Sequence, residues 1–460
     1  MGLLLPAACA DQAAEPDLDA GDASTGDASS SGSDAAAEPE GPVATYTYWR
    51  DAKAILDAKC GGCHQPDDIA PFPLTTYEQV RAVAAVLPAS LEAETMPPWP
   101  PADGCQEYAH ARSLDEADKA LLLTWLDEGA PEGDPADAPA PEPEPGAEPQ
   151  PEPWSPTMTV EMPEPYSPVT APDDYRCFLV PWTQAETSYV TGYRVVPGNR
   201  SIVHHVIMFN ADASVVPQLQ AMDDADPGPG YACFGGTGTA ASWVGSWAPG
   251  GGVAELPPDT GIRIEPGSMM VVQMHYNTLA SDPAPDQTAI ELTVAEQVER
   301  PALTIPFANF EWITGADPML IPAGDPQVTH EYAFPVGNPL FRQRLSDVGV
   351  MAGEPFVVHS AGLHMHYLGT AGTLSVVRGG GGEDCLLDIE DWDFGWQGGY
   401  TLREPLRVDA DDQLRISCTW DNSAGNQPTI GGEVLTPHDV EWGEGTTDEM
   451  CLGVIYVSAP

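Results

Sequence analysis

Short β-rich segments separated by Gly, Pro and Asp turns run from residue 157 to the end of the chain, and they constrain the fold more than any other feature. These segments span 188–196, 202–209, 269–276, 289–294, 373–377, 413–419 and 452–457. Many short strands at this spacing, without long helical periodicity, predict antiparallel β-sandwiches. Because about 300 residues are too many for one sandwich, we place a boundary near Arg300 and predict domains at 157–300 and 301–460.

Two low-complexity stretches divide the rest of the chain. Residues 11–43 contain no Lys or Arg, and residues 131–156 alternate Pro with Glu and Ala. Neither stretch can bury enough apolar surface to offset the entropy lost on ordering, so both are predicted to be disordered or extended. The chain then consists of an acidic tether at 1–43, a small domain at 44–130, a linker at 131–156 and the β-rich region.

The charge balance disfavours two classes of partner. The chain has 70 acidic and 17 basic residues among 460, which gives a formal charge of −53. Such a field repels nucleic acid and anionic lipid, so no nucleic-acid partner is expected. No run approaches the ~18 apolar residues of a membrane span, and a soluble or tethered chain is expected.

The small domain carries a C-x-x-C-H motif, formed by Cys60, Gly61, Gly62, Cys63 and His64. Two thiols on one helical turn can reach the two haem vinyl groups, and the imidazole of the next residue can bind the iron. An amphipathic pattern precedes the motif at residues 46–59. The motif predicts a covalently bound haem c and electron transfer; the alternative is a redox or zinc C-x-x-C followed by a coincidental histidine.

A sixth iron ligand is expected later in the same domain. Met96 is the best candidate, because the prolines that follow it fix an extended backbone and can present its thioether rigidly. The alternatives are that Met96 only packs in the core or that His110 binds the iron. Residues 114–128 are predicted to form the closing helix, and the whole segment resembles a class of small cytochrome c domains.

Haem attachment implies export, so an extracytoplasmic location is predicted, in the periplasm or at the outer membrane. Residues 1–10 look like the end of a secretory signal, and Cys9 precedes the acidic tether. This arrangement resembles a bacterial lipoprotein with an acylated N-terminal Cys. The alternative is a chance cysteine in a truncated chain.

Histidines in the β-rich region form the second constellation. Five of the eight lie in three apolar, strand-like runs: His204, His205, His275, His364 and His366. His364 and His366 are two apart, so on a strand they share a face and can bind one metal ion. His204 and His205 are adjacent, and can do so only if their strand is bulged or strongly twisted. A lone core histidine bonded to a backbone carbonyl is the alternative for any one of them.

These three runs, followed by an Asp-Glu-Met-Cys sequence at 448–451, resemble the copper type II ascorbate-dependent monooxygenases. This family includes dopamine β-monooxygenase and peptidylglycine α-hydroxylating monooxygenase, and the resemblance covers about residues 160–460 in the family's order. It implies a mainly β fold with two jelly-roll-like β-sandwich domains, here preceded by a small α-helical cytochrome c-like domain.

The resemblance also implies two copper ions. One, an electron store, would be bound by His204, His205 and His275. The other, which activates O2, would be bound by His364, His366 and Met450 as catalytic residues. The resemblance further implies disulfides joining Cys177 to Cys233 and Cys418 to Cys451, and a structural strand at 391–397. Cys105 and Cys385 have no assigned partner.

Two positions depart from the peptide-amidating members. These members have an Arg two residues before the first His of the His-x-His pair and a Tyr four residues after the copper Met. Here the two positions are Gly362 and Val454. Peptidylglycine is therefore not the expected substrate, and the sequence names no other.

The resulting hypothesis is a copper monooxygenase that hydroxylates a C–H bond of a small organic substrate with O2. Its haem domain, held by a flexible linker without rigid docking, would pass electrons to the first copper from a periplasmic donor or an ascorbate-like reductant. The alternatives are a non-catalytic copper-binding protein and a relay that only transfers electrons from haem to copper.

Overall fold

The computed structural model describes residues 44–66, 70–109, 111–139, 154–233, 236–247, 252–278, 281–430, 433–443, 445 and 447–460. The predictions that concern Cys9, His110, the acidic tether at 1–43 and the linker from residue 140 to residue 153 lie outside these residues. Helices in the described ranges are α1 (Lys53–Lys59), α2 (Tyr77–Val83), α3 (Leu87–Glu92), α4 (Glu116–Asp127), α5 (Val216–Ala225), α6 (Phe310–Thr314) and α7 (Pro339–Ser346). No helix among them is long and apolar enough to cross a membrane.

Strands in the described ranges of the first β-rich half are β1 (Met158–Glu161), β2 (Asp173–Pro181), β3 (Ser188–Val196), β4 (Val203–Ala211), β5 (Tyr231–Ala232), β6 (Ser242–Trp247), β7 (Ala254–Glu255), β8 (Thr260–Ile264), β9 (Met269–Asn277), β10 (Ala289–Ala295) and β11 (Arg300–Phe307). Those of the second half are β12 (Val328–Pro335), β13 (Phe356–His364), β14 (Gly369–Val377), β15 (Glu383–Ile389), β16 (Gly399–Val408), β17 (Gln413–Trp420), β18 (Thr429–Ile430), β19 (Glu433–Val434) and β20 (Leu452–Ser458). The prediction of a mainly β chain with a helical N-terminal region is confirmed.

The N-terminal helical region is built around one apolar cluster. A π-helical turn at Tyr48–Ala52 leads into α1, and Tyr48 packs in the cluster with Leu122 and Trp125 of α4. The following residues lie against this region, because Pro131 O accepts hydrogen bonds from Tyr48 N at 2.9 Å and from Trp125 Nε1 at 3.0 Å. Residues just after 130, predicted as linker, therefore pack on the helices.

The first β-rich half packs two groups of hydrogen-bonded strands around a common core. One group has the order β1-β10-β3-β8, and the other has the order β6-β4-β9-β2-β5. Inward-facing residues alternate with outward ones along β3 and β4, as a half-buried strand requires. The core includes Val206, Val272 and Ile290.

The second β-rich half is also a sandwich. One sheet has the order β12-β17-β14-β15, and the other contains β16, β13, β20 and β11. Its core includes Leu374, Ile416 and Ile455, all of which are fully buried. β11 pairs with β20 of this half and with β6 and β8 of the first. The predicted boundary at Arg300 thus falls at the first residue of a strand that both halves share.

Three disulfides link the described residues. Cys177–Cys233 and Cys418–Cys451 form as the family resemblance implied. The third joins Cys105 of the helical region to Cys385 on β15, across 280 residues of sequence. The helical region is therefore fixed to the second sandwich, and the prediction that it lacks rigid docking is wrong.

Candidate metal sites

The first histidine cluster lies on two adjacent strands. His205 on β4 pairs directly with His275 on β9, and the register shifts between Val203 and His205. This irregularity is the bulge that two adjacent histidines need in order to face one site. It brings His204 and His205 to the same side, as the sequence required.

The three rings of this cluster present the same nitrogen to one another. His205 Nδ1 lies 3.2 Å from His275 Nδ1 and 3.4 Å from His204 Nδ1. A metal ion bound to nitrogen at about 2.0 Å in tetrahedral geometry separates its ligand atoms by roughly 3.3 Å. The spacing therefore fits a single metal ion, and these histidines form a group able to hold one.

Two neighbouring residues fix the orientation of His275, which is 1% exposed. Its Nε2–H donates to Asp173 Oδ1 at 2.8 Å, which leaves Nδ1 as the nitrogen that faces the cluster. The ring also stacks on Tyr175, with centroids 4.1 Å apart and planes 6° from parallel. Asn277 Nδ2 donates to the same Asp173 oxygen at 2.9 Å and holds the carboxylate in place.

The electrostatics of the first cluster favour the neutral form of His204 and His205. Burial, followed by the neighbouring charge of His275, lowers the pKa of His204 to about 4. Burial also lowers the pKa of His205, with smaller contributions from His275, His204 and His364. Burial alone would raise the pKa of Asp173, but the hydrogen bond and charge of His275 bring it below its ordinary value. Neutral imidazole is the form that binds metals.

The second cluster lies at the end of β13. His364 is the last residue of the strand and His366 lies two residues beyond it, with ring centroids 5.0 Å apart. His364 Nδ1–H donates to Gln397 Oε1 at 2.5 Å, and His366 Nδ1–H donates to Asp448 O at 2.9 Å. Because both Nδ1 atoms are bonded to the protein, Nε2 is the nitrogen of each ring that remains for a metal ion.

Met450 directly follows a buried carboxylate that binds the backbone of the second cluster. Glu449, which precedes it, is 0% exposed and accepts hydrogen bonds from His366 N at 2.9 Å, Leu368 N at 2.7 Å and Trp420 Nε1 at 2.8 Å. Burial raises the pKa of Glu449 to about 7, against the opposing effect of these donors. Met450 itself is 8% exposed, and the next residue is anchored through the Cys418–Cys451 disulfide.

Two family models match the chain. The N-terminal domain of the copper type II ascorbate-dependent monooxygenases matches residues 158–282, and the C-terminal domain of the same family matches residues 342–458. Together the two matches cover more than half of the chain. The chain belongs to this family.

As a copper type II monooxygenase, the protein is an oxidoreductase of a family that uses O2, a substrate and ascorbate. The matched residues run from the first residue of β1 to the last residue of β20. Neither match includes the helical region that precedes them.

Solved structures are similar to this monooxygenase only weakly. The major capsid protein P2 of bacteriophage PM2 is 10% identical, covers 66% of this chain and 97% of its own, and has a TM-score of 0.24. A structure of infectious bursal disease virus, Gx strain, is 7% identical, with coverages of 66% and 72% and a TM-score of 0.15. Vicilin from Corylus avellana is 9% identical, with coverages of 55% and 76% and a TM-score of 0.11. No curated protein sequence matches the chain.

The segment 391–397, predicted as a structural strand, is instead a loop beside the second cluster of the monooxygenase. Trp392 Nε1 donates to His366 O at 3.1 Å, and the Phe394 ring lies 5.9 Å from the His366 ring and 4.4 Å from the Tyr367 ring. Gln397, at the end of the same loop, binds His364. The loop thus contributes directly to the surroundings of both histidines.

Residues of the C-x-x-C-H motif lie at the end of α1. Cys60 is the C-cap of this helix, and the three disulfides of the described chain include neither Cys60 nor Cys63. His64 is 9% exposed, and its Nδ1–H donates to Phe72 O at 2.8 Å, so Nε2 remains for a ligand. Met96 is half-buried and lies four residues beyond the end of α3.

Proposed function

We propose that this monooxygenase hydroxylates a C–H bond of a small organic substrate with O2, using two copper ions and electrons delivered through a covalently bound haem. The observation that carries the copper assignment is the spacing of the three Nδ1 atoms at 3.2 and 3.4 Å. A hydrogen bond between two of these rings needs a proton on one of the facing nitrogens, whereas a metal ion binds the lone pairs of all three.

In this proposal the first copper is bound by His204, His205 and His275. The second is bound by His364, His366 and Met450. The donor sets differ in softness, because a thioether favours Cu(I) while three imidazoles support both oxidation states. When bound, the copper ions supply the stored electrons and the O2 reduction that oxygen insertion requires.

The residues around the two sites orient the ligands and do not react themselves. The Asp173 carboxylate holds His275 in the Nε2–H form, and the Gln397 amide holds His364 in the Nδ1–H form. The Glu449 carboxylate joins the backbone of His366 to the chain that carries Met450. Mutation of a hydrogen-bonded partner of this kind commonly lowers metal affinity by about 10–100-fold.

The departures from the amidating members support a substrate without a carboxylate at the recognition position. Gly362 pairs with Val454 across β13 and β20, so the two changed positions are neighbours in the structure. A Cβ at Gly362 would lie 3.2 Å from Gly398 O, which leaves little room for a long side chain. The rings of Tyr367 and Phe394 provide an apolar surface beside His366 instead.

The haem in this proposal is attached through Cys60 and Cys63, with His64 and Met96 as iron ligands. The hydrogen bond from His64 Nδ1 to Phe72 O supports it, because such a bond orients an axial imidazole and increases its basicity. A periplasmic one-electron donor or an ascorbate-like reductant would supply electrons to the haem.

The three disulfides support a location outside the cytoplasm, where such bonds persist. We place the protein in a bacterial periplasm or at the outer membrane, with Cys9 as a possible lipid anchor.

Reductant-dependent O2 consumption by the copper-loaded protein, measured over a panel of C–H substrates, tests the oxygenase. We expect hydroxylated product from the unaltered protein and from the control Met351→Ala, since the Met351 side chain is 60% exposed in the same sandwich. Met450→Ala should lose product formation. Two bound copper ions without O2 uptake under any reductant would indicate a copper-binding protein, and full activity of Met450→Ala would contradict the site.

Replacing both motif cysteines by Ser tests the haem. The variant should lose haem absorbance and the turnover driven by a periplasmic one-electron donor, but it should keep the turnover driven by excess ascorbate, which can reduce the copper ions directly. Unchanged donor-driven turnover would contradict electron delivery through this motif.

A further inference from the structure

The segment 99–109, here called the docking segment, joins the helical region to the second sandwich. It lies between α3 and α4 in sequence. Its backbone bonds to the edge strands of both sheets: Ala102 N donates to Asp388 O, and Ala109 N donates to Thr401 O, each at 2.8 Å. The docking segment therefore covers the open edges of β15 and β16, which would otherwise present unpaired backbone groups.

Side chains of the docking segment are part of the apolar core of the second sandwich. Tyr108 is 5% exposed within that core, and its hydroxyl donates to Leu386 O at 2.9 Å. Gln106 Nε2 donates to Cys385 O at 2.6 Å, beside the Cys105–Cys385 disulfide. This burial, together with the covalent link, gives the helical region one fixed placement on the sandwich.

Aromatic contacts connect the docking segment to the second metal site. Trp99 meets Tyr400 edge to face, with ring centroids 5.4 Å apart and planes at 85°. Trp99 is three residues after Met96, and Tyr400 is three residues after Gln397. Gln397 Oε1 lies 2.5 Å from His364 Nδ1. A short path thus leads from the proposed haem ligand to a proposed copper ligand, with two non-covalent steps: the ring contact of Trp99 with Tyr400 and the hydrogen bond of Gln397 with His364.

The contacts of the docking segment lie nearer in sequence to residues of the second metal site than to residues of the first. Within the described chain, the hydrogen bonds, ring contacts and disulfide that the docking segment makes outside the helical region all involve residues 385–403. The contacted residues belong to β15 and β16, and the loop between these two strands is the one that binds His364 and His366.

We propose that electrons pass from the haem to the metal bound by His364, His366 and Met450 through the contact between Trp99 and Tyr400. Each transfer oxidises the ferrous haem to ferric and reduces Cu(II) to Cu(I) by one electron, with no bond made or broken. A reduced one-electron carrier or an ascorbate-like reductant then reduces the haem again. This inference rests on the proposed function, and it replaces the first copper by the second as the point of electron entry.

Flash reduction of the full-length, haem- and copper-loaded protein without O2 tests the inference. Decay of ferrous haem absorbance should be first order, independent of protein concentration, and matched by loss of the Cu(II) resonance signal. In Trp99→Leu the rate should fall by about tenfold or more, as when reacting centres lose their fixed placement. Trp99→Phe, which keeps an aromatic ring, should restore most of the rate, with haem absorbance and potential unchanged.

The matched control is Trp49→Leu, which alters a half-buried tryptophan of the helical region that packs beside Tyr48. Its decay rate should equal that of the unaltered protein. An unchanged rate in Trp99→Leu would overturn the inference and leave the proposed function standing. Absence of haem from the unaltered protein would instead overturn the proposed function.

Copper depletion at one site gives a second measurement that does not depend on altering Trp99. His366→Ala should abolish the fast haem decay, and His275→Ala, with the first copper absent, should retain it. The reverse pattern would show that electrons enter at the first copper and would overturn the inference.

Discussion

The two histidine clusters differ in which imidazole nitrogen is available to a metal ion. In the first, the Nδ1 atoms face one another, and Nε2 of His275 is bonded to Asp173. In the second, Nδ1 of His364 and of His366 is bonded to the protein, and Nε2 remains for the metal. In His275, His364 and His366, the hydrogen-bond partner of the ring therefore decides which nitrogen faces a metal ion.

The clusters also differ in the structure that supports them. The first lies on paired strands, where the β4 and β9 ladder and its bulge fix the distances. The second combines a strand end, the loop at 391–397 and the chain that leads to Met450. The Glu449 carboxylate joins the first and the last of these, and Trp392 and Gln397 attach the loop. The first site is therefore set by sheet geometry, whereas the second depends on a few specific hydrogen bonds.

Removing one histidine from either cluster should abolish copper binding at that site and leave copper binding at the other site intact. His275→Ala is expected to lose the first copper and keep the second, and His366→Ala should do the opposite. Product formation should stop in both variants. Copper content and the Cu(II) resonance spectrum measure this, with His330→Ala on β12 as the control. Loss of both ions from either variant would mean that the clusters form one site.

Asp173→Asn tests the hydrogen bond that orients the first cluster. An amide at this position no longer fixes His275 in its Nε2–H form, so copper affinity at the first site should fall by about 10–100-fold. The second site should be unaffected. Competition with a chelator measures the affinity, and Glu291→Gln on β10, which alters an ion pair with Arg194, is the control. An equal loss of copper affinity at both sites would contradict the conclusion that different parts of the structure support them.

Glu449→Gln tests the carboxylate that joins the second site. In the unaltered protein, two backbone N–H groups and the Trp420 indole donate to the carboxylate oxygens. In the variant, the amide N–H group faces some of these donors, so the unfolding free energy of the second sandwich should fall by about 1–3 kcal/mol. Denaturant unfolding measures it, with the exposed Glu383→Gln as control. The first site should keep its copper. Stability equal to that of the unaltered protein would show that this carboxylate is not the link between the pieces.

Local patterns in the sequence predicted the strands and the histidine faces well. The predicted segment 188–196 is β3, and the condition that His204 and His205 share a site only at a bulge is met by the register shift. Both features depend on side-chain alternation within a few residues, which the sequence shows directly.

Contacts between distant segments could not be predicted in the same way. Asp173 is 102 residues from His275, and Cys105 is 280 residues from Cys385. Gln397 lies in a segment that the family resemblance implied to be a strand, but it forms a loop whose residues contact His364 and His366. Glu449 belongs to the recognised Asp-Glu-Met-Cys sequence, and only the folded structure shows that its carboxylate is buried and binds the backbone of His366.

X-ray absorption of the fully reduced, copper-loaded protein tests the two-site account most directly. The account predicts nitrogen ligands together with a sulfur ligand to one of the two copper ions. It further predicts that the sulfur contribution disappears in Met450→Ala, while His204, His205 and His275 still bind their copper. Sulfur scattering that persists in Met450→Ala, or that is absent from the unaltered protein, would contradict the assignment of Met450 and with it the second site.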